Sequence, residues 1–258
     1  MPPHIAVLTD FGTTDPYVGI MKGVVARITP GVTVLDISHG VPPQDVLVGA
    51  LWLDGAVDWF PDDTVFLVVV DPGVGSERRV VAAEIGTRRF VCPDNGLLTA
   101  VQQRLGSARS VVADDPSFHL PGGSNTFHGR DIMAPVAAHL AAGLALERLG
   151  PPAGPLISLE LPRAVATLDM VVGEALYVDH FGNLITSILA SQLRPDAQIM
   201  VGAQRLDLVR TYTEVAPGEP LALVGSTGRV ELSVRDGSAA AVLEIDAGEP
   251  VIAVGGQG

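Results

Sequence analysis

Cysteine occurs once in the 258 residues, at Cys92, which excludes an internal disulfide and a zinc site built from cysteines. Lysine is as scarce: Lys22 is the only one among sixteen basic residues, a bias we read as genome composition without mechanistic content. The 29 carboxylates outnumber these cations and leave a net charge of −13. A phosphate backbone is therefore a poor partner, because nucleic-acid binding rests on clustered Lys and Arg. A small or cationic ligand suits the charge better. Although 47% of the residues are hydrophobic, no apolar run approaches the ~20 residues of a membrane span. The start, MPPHIAVLTD, has no basic segment followed by an apolar core and enters a strand almost at once, so no export signal is expected and a cytoplasmic location is.

Familiar catalytic fingerprints are missing as well. There is no G-x-G-x-x-G and no G-x-x-x-x-G-K-[ST], which removes the dinucleotide and nucleoside-triphosphate motifs. Without G-x-S-x-G a serine-hydrolase elbow is not supported. A metallohydrolase has little support, since H-E-x-x-H, a His pair at i, i+4 and an EF-hand loop are all absent. No metal ligand is assigned.

Up to about residue 160, short apolar strands (HIAVLTD, TVLDIS, TVFLVVVD, RFVCPD) alternate with helical stretches at 16–28, 44–57, 95–105 and 131–147. That alternation predicts an α/β domain with a largely parallel sheet over 1–160. LGPPAGPLISLELPRA lacks a helical period and reads as a linker or extended connection. Over 161–258 only short strands follow: MVVGEALYVD, NLITSI, AQIMVG, LALVGS, RVELSV, AAVLEI and EPVIAV. This half is expected to be an antiparallel, barrel-like β domain. No fixed-period repeat is present.

Acidic residues recur where strands of the first domain end: Asp10, Asp36, Asp71 and Asp94. In an open parallel sheet the carboxyl ends of the strands face one crevice, so the four are expected to line a common cleft, with helix capping as the plainer role for Asp36 and Asp94. VVVDPGVGSERR is the sharpest case. Its valines form a buried strand, Asp71-Pro72-Gly73 stops it, and Arg78 lies in the same loop. In SNTFHGRDIMAPVAAHLAAG, Gly129 precedes an apolar period through Ile132, Met133, Val136, Ala137 and Leu140, which places His128 at a helix entrance. A histidine there titrates near neutrality and can serve as a base or orient water. His139 is expected to be structural, and His39 fits either role.

Six blocks in order, LTDFGTTDPYVGIMKG, DISHGVPPQD, VVDPGVGSERR, PDNGLLT, NTFHGRDIMAP and VDHFGNLITS, together resemble the S-adenosyl-L-methionine (SAM) hydrolase family. Its members are also called SAM hydroxide adenosyltransferases and are related to the fluorinating and chlorinating SAM enzymes. The resemblance implies an N-terminal α/β domain, a C-terminal β-barrel, and a homotrimer whose active sites lie between neighbouring subunits. It further implies that water or hydroxide attacks C5′ of SAM and releases adenosine and methionine, without cofactor. In the family an Asp, an Arg and a His surround the attacking water, and the pattern places them on Asp71, Arg78 and His128. Here Arg78 would stabilise hydroxide, His128 would take a proton and Asp71 would orient both.

Substrate contacts carry over in the same way. Asp10 matches the carboxylate that holds the ribose hydroxyls. Asp179, Phe181 and Asn183 match residues for the methionine amino group, ring packing and the adenine edge. Ser226 and Thr227 match the methionine-carboxylate site, Thr227 standing where fluorinating relatives carry Arg. Tyr212 is placed on the adenine face and backbone near Ala239 at its edge; the bland alternative for Phe181 and Tyr212 is β-domain core. Two competing functions are a halogenase and a SAM- or adenosine-binding protein without turnover. Asp71 would repel a halide, and the compact stretch 79–95 lacks the loop insertion of the halogenating relatives.

Overall fold

The computed structural model describes residues 3–255, and the chain divides into two compact units, Met1–Leu161 and Pro162–Gly258. In the first unit β1 (His4–Thr9), β2 (Thr33–Ser38), β3 (Val65–Val69), β4 (Val80–Ile85), β5 (Arg88–Pro93) and β6 (Arg109–Val112) form one sheet, in the order β2-β1-β3-β5-β4-β6. The β1–β2, β1–β3 and β3–β5 pairs are parallel, while β4 runs antiparallel to β5 and β6. The largely parallel sheet follows from strands such as FLVV that are apolar on both faces and need cover on both.

The helices supply that cover. On α1 (Tyr17–Ile28), Met21, Val24 and Val25 form a buried stripe that joins Ile5, Val7, Val65, Leu67 and Val69 in one core. On α2 (Val46–Ala56), Asp45 caps the first turn by accepting from Val48 N at 2.9 Å. This helix packs on the other face, where Gly49 closely approaches Val70 and Leu97. The chain then passes through α3 (Thr99–Leu105) to α4 (Ala134–Ala141).

Two local features of this unit, the last helix and the extra strands, differ from the sequence reading, while the Pro-rich segment takes one of the two forms expected of it. The helix expected over 131–147 begins as a π-type turn at Gly129–Met133, continues as α4 and stops at Ala141; Gly143, at φ +93°, turns the chain, and Leu146–Leu149 is a separate 3-10 turn. Strands β4 and β6 were not anticipated. The first joins β5 through a two-residue turn at Gly86-Thr87, so the stretch after the Asp71 loop is a hairpin. The Pro-rich segment is extended and pinned to its own unit: Val112 N donates to Pro151 O at 2.8 Å, Ile157 N to Asp94 Oδ1 at 2.8 Å and Leu159 N to Thr99 Oγ1 at 2.9 Å.

The second unit contains β7 (Val165–Ala166), β8 (Met170–Val178), β9 (Leu184–Leu189), β10 (Gln198–Val201), β11 (Gln204–Asp207), β12 (Pro220–Val224), β13 (Arg229–Val234), α5 (Ala239–Leu243) and β14 (Pro250–Val254). Its path is β11-β10-β14-β8-β9-β13-β12, with β7 on β8, and every ladder is antiparallel. The two ends meet at a bridge between Leu208 and Ala222, reinforced by Val209 N to Ala222 O at 2.8 Å, so the sheet is a nearly closed barrel. AAVLEI is a correction to the strand reading: it opens as helix α5. Ser238 caps it by accepting from Ala241 N at 3.3 Å, three alanines favour the helix, and Glu244 at φ +54° ends it. Among the described residues no helix is long and apolar enough to cross a membrane.

Candidate active site

The strand order reverses direction at β1, which has β2 on one side and β3 on the other. Such a switch point opens a crevice at the carboxyl ends of β1 and β3. Thr9 pairs with Val69 across the two strands, so Asp10, one residue past that pair, and Asp71, two residues past it, emerge at the same strand end. They border a cavity of about 360 Å³ together with Tyr17, Gln44, Phe127 and His128. Asp10 Oδ2 accepts from Gln44 N at 2.8 Å. Gln44 holds φ +66°, a conformation disfavoured for a side chain with a Cβ, and so carries local strain at this wall.

Behind the cavity, Arg78 holds the other two members of its cluster. Its Nε donates to Asp71 Oδ1 at 2.8 Å and Oδ2 at 3.0 Å, and its Nη2 donates to Asp71 Oδ2 at 2.5 Å and to His128 Nδ1 at 2.7 Å. The side chains are 10% exposed for Arg78 and 6% for Asp71, so solvent screens this pair little. A guanidinium only donates; Nδ1 of His128 therefore turns its lone pair to Arg78, and the neutral ring carries its proton on Nε2. Burial first, and then the Arg78 charge, lower the pKa of His128 from its ordinary value and favour that neutral form. The ring as placed thus offers an N–H, with its acceptor nitrogen already filled. Arg78 Nη1 is left without a hydrogen bond to the described residues.

Backbone geometry brings the two loops together. Gly75 sits at φ +80°, and a Cβ there would come within 2.6 Å of Asn125 O, so only glycine lets the Asp71–Arg78 loop lie against the loop that carries His128. Gly129 is the first residue of the helical turn that His128 enters, a turn of the π type. It is buried, with Met21 Sδ 3.3 Å and Val69 Cγ1 3.4 Å from where a Cβ would be.

The common cleft expected for four acids holds only two. Asp94 is buried, pairs with Arg79 and accepts from Ile157 N, a structural lock for the extended segment. Asp36 pairs with Lys22 at 2.7 Å and lies 3.1 Å from His39 Nε2, outside the cavity lining. His39 is itself buried, with Nδ1 2.9 Å from Thr9 Oγ1, which gives it a structural role. His139 packs edge-on against Phe118 at 5.2 Å. Burial also pushes the Cys92 thiol up, leaving it a poor nucleophile.

An aromatic group absent from the sequence-derived site completes this wall: Phe11, Tyr17 and Phe127 meet edge-to-face at centroid distances of 5.3–5.9 Å. All three lie inside the quoted blocks, so aromatics adjoining the motif acids were the available signal; for Gln44, next to Asp45 in VPPQD, only the block itself was. Among the described residues no group of three or more His, Cys, Asp or Glu is arranged to hold a metal ion.

The barrel unit has a pocket of its own, about 610 Å³, bordered by Phe181, Asn183, Tyr212, Thr213, Arg235 and Asp236 among others. Asp179 builds its rim from below: Oδ1 accepts from Phe181 N at 2.8 Å and Asn183 N at 2.9 Å, and Oδ2 from Asn183 Nδ2 at 3.0 Å. Gly182, at φ +84°, makes the turn, and a Cβ there would run into Ser238. Phe181 is 73% and Tyr212 42% exposed, so neither is barrel core. Ser226 and Thr227 lie in the turn between β12 and β13, and Ala239 is buried at the start of α5; none of the three borders this pocket. Thr213, Arg235 and Asp236 were not anticipated.

The chain is thus a two-unit protein, an α/β unit with an Asp–Arg–His cluster at a strand-end crevice followed by a barrel with an aromatic-edged pocket. Residues 5–150 match the SAM hydroxide adenosyltransferase N-terminal domain and residues 173–252 the C-terminal domain, and the chain belongs to this family. It is 42% identical over 251 residues to the (R)-S-adenosyl-L-methionine hydrolase of Thermus thermophilus, covering 95% of this chain and 96% of that one. A crystal structure of a conserved protein from Thermotoga maritima superposes with a TM-score of 0.91 at 36% identity, covering 97% of this chain and 99% of that chain. A fluorinase of Actinoplanes is more distant, 28% identical with 90% of each chain covered.

Proposed function

We propose that this protein hydrolyses SAM to adenosine and L-methionine by attack of water on C5′ of the ribose. The observation that carries the reading is the Asp71–Arg78–His128 cluster beside Asp10 in a crevice of the α/β unit, in a chain so similar to a SAM hydrolase over nearly its whole length. Bulk water, with a pKa of about 15.7, is a weak nucleophile, so the site must favour hydroxide character as the C5′–O bond forms. Arg78 Nη1 and His128 Nε2–H donate to the attacking oxygen, and Asp71, whose Oδ1 accepts a single bond from Arg78 and keeps a lone pair, accepts the proton. The C5′–S bond breaks as its electron pair returns to sulfur. Methionine leaves as a neutral thioether and needs no acid, so no metal or organic cofactor has a task here.

Asp10, with one oxygen free of Gln44 N, can chelate the vicinal ribose hydroxyls, and the aromatic pocket of the barrel suits adenine. The name of the Thermus relative supports preference for the (R) sulfonium epimer. Asp71 disfavours the halogenase reading by repelling an anionic nucleophile, and 79–95 is filled by the compact β4–β5 hairpin. The intact cluster, rather than a bare pocket, favours turnover over mere binding. The protein acts as a cytoplasmic homotrimer in which the α/β half of one subunit and the barrel of the next complete each site, a heterologous contact that closes as a ring. Incubation of purified protein, dialysed against chelator, with each SAM epimer tests the activity. Equimolar adenosine and methionine are expected, faster from (R); no adenosine in the presence or absence of divalent ions refutes it, and recovery only with a divalent ion restores a metallohydrolase.

A further inference from the structure

Glu231 lies in β13 with 7% of its surface exposed, a costly place for a carboxylate unless it is hydrogen-bonded. Two hydroxyls converge on one of its oxygens: Tyr212 Oη donates to Oε1 at 2.7 Å and Ser233 Oγ at 2.8 Å. The other oxygen is hemmed in at Gly225, where a Cβ would come within 2.7 Å of Oε2. The carboxylate is therefore held in place from both sides. Tyr212 is not: it starts a three-residue 3-10 turn, Tyr212–Glu214, which belongs to no strand, and its ring forms part of the edge of the 610 Å³ pocket. Burial, and then the bond to Glu231, push the phenol up to about 12, so it stays a donor across the neutral range.

We infer that Glu231 is a positioning residue: through the Tyr212 hydroxyl it ties an aromatic of a short turn outside the strands to β13 and so fixes the face against which a flat heteroaromatic ligand stacks. The inference rests on the SAM-hydrolase reading for the ligand, adenine, and adds to it a residue that touches neither substrate nor the reacting atoms. A preset ring costs the ligand less ordering on binding, so the effect falls on affinity and spares the chemical step.

The test is steady-state kinetics with SAM on Glu231→Leu, Glu231→Gln, Tyr212→Phe, the Leu/Phe double variant and Ser233→Ala, each with its melting curve. Glu231→Leu and Tyr212→Phe should each raise KM by about three- to tenfold, the loss of one buried hydrogen bond, with kcat within about twofold. The double variant should be no worse than Glu231→Leu alone, because both remove one interaction. Glu231→Gln, whose amide oxygen can accept from both hydroxyls, should restore KM, and Ser233→Ala, which leaves the tyrosine contact intact, should not change it. An unchanged KM in Tyr212→Phe, additive effects in the double variant, or the same KM shift in Ser233→Ala overturns the inference. Should Glu231→Leu fail to fold, Tyr212→Phe and Ser233→Ala decide alone. If the wild type releases no adenosine from SAM, the hydrolase reading fails by itself, and calorimetric binding of adenosine to the same variants takes the place of KM; no binding to the wild type overturns the positioning role too.

Discussion

Replacing Arg78 with lysine keeps the charge and removes the fork. In the native site one guanidinium makes four contacts, three to Asp71 at 2.5–3.0 Å and one to His128 Nδ1 at 2.7 Å, and still has Nη1 to spare. An ammonium is a single nitrogen with three donors and cannot reproduce the three contacts to Asp71 and the one to His128 while presenting a further donor to the attacking oxygen. Losing one preorganised donor of this kind costs about 10²–10³ in kcat, or about 2.7–4 kcal/mol. Because Arg78 acts on the nucleophile, SAM affinity should stay within about tenfold. Lysine is a cleaner probe than alanine, which would leave Asp71, 6% exposed, without its cation at a cost of about 3–5 kcal/mol and so mix stability with chemistry. The assay is single-turnover adenosine release by chromatography, with SAM binding by calorimetry and a melting curve. Turnover within about threefold of wild type, or loss of binding in proportion to turnover, refutes this division of roles.

Three further outcomes follow from the same geometry. The cluster needs Nδ1 of His128 unprotonated, and burial with Arg78 lowers its pKa from 6.5, so kcat should hold as pH falls through 6.5 and decline only below it; an acid limb centred above 6.5 in the pH–rate profile contradicts the assigned tautomer. Asp94→Ala should melt earlier, by several kcal/mol in denaturant titration, since Arg79 and Ile157 N lose their buried partner, while the folded fraction keeps its specific activity; unchanged stability would return Asp94 to the cleft. His128→Ala and Asn183→Ala chains, each inactive alone, should recover activity when co-expressed, because some interfaces pair an intact α/β half with an intact barrel half; a monomer in sedimentation, or no recovery in mixed oligomers, ends the shared-site proposal.

The parts of the fold that were legible are those where one periodicity dominates. Strands β1 and β3 are apolar on both faces and α1 has a clean stripe, so their type and order followed from pattern alone. Strand β4 was lost because VVAAEI follows directly on the Asp71–Arg78 loop, with Arg79 rather than a Gly or Pro immediately before it, and α5 was misread because AAVLEI is apolar in either state, with Ser238 as the deciding cap. At the site, Asp71, Arg78 and His128 were nameable from motif blocks, yet the tautomer of His128 was not. It depends on a 2.7 Å contact across 50 residues, made possible by a glycine at position 75 that tolerates the neighbouring carbonyl. Likewise Asp94 and Asp10 look alike as strand-end acids. Only their partners, Arg79 for one and an open crevice for the other, separate lock from site.

The most direct measurement is hydrolysis of (R)-SAM in ¹⁸O-labelled water, with mass spectrometry of both products. Attack of water on C5′ requires one ¹⁸O in the 5′-hydroxyl of adenosine and none in methionine. Unlabelled adenosine, label in methionine, or a 5′-halogenated nucleoside in the presence of halide would contradict it.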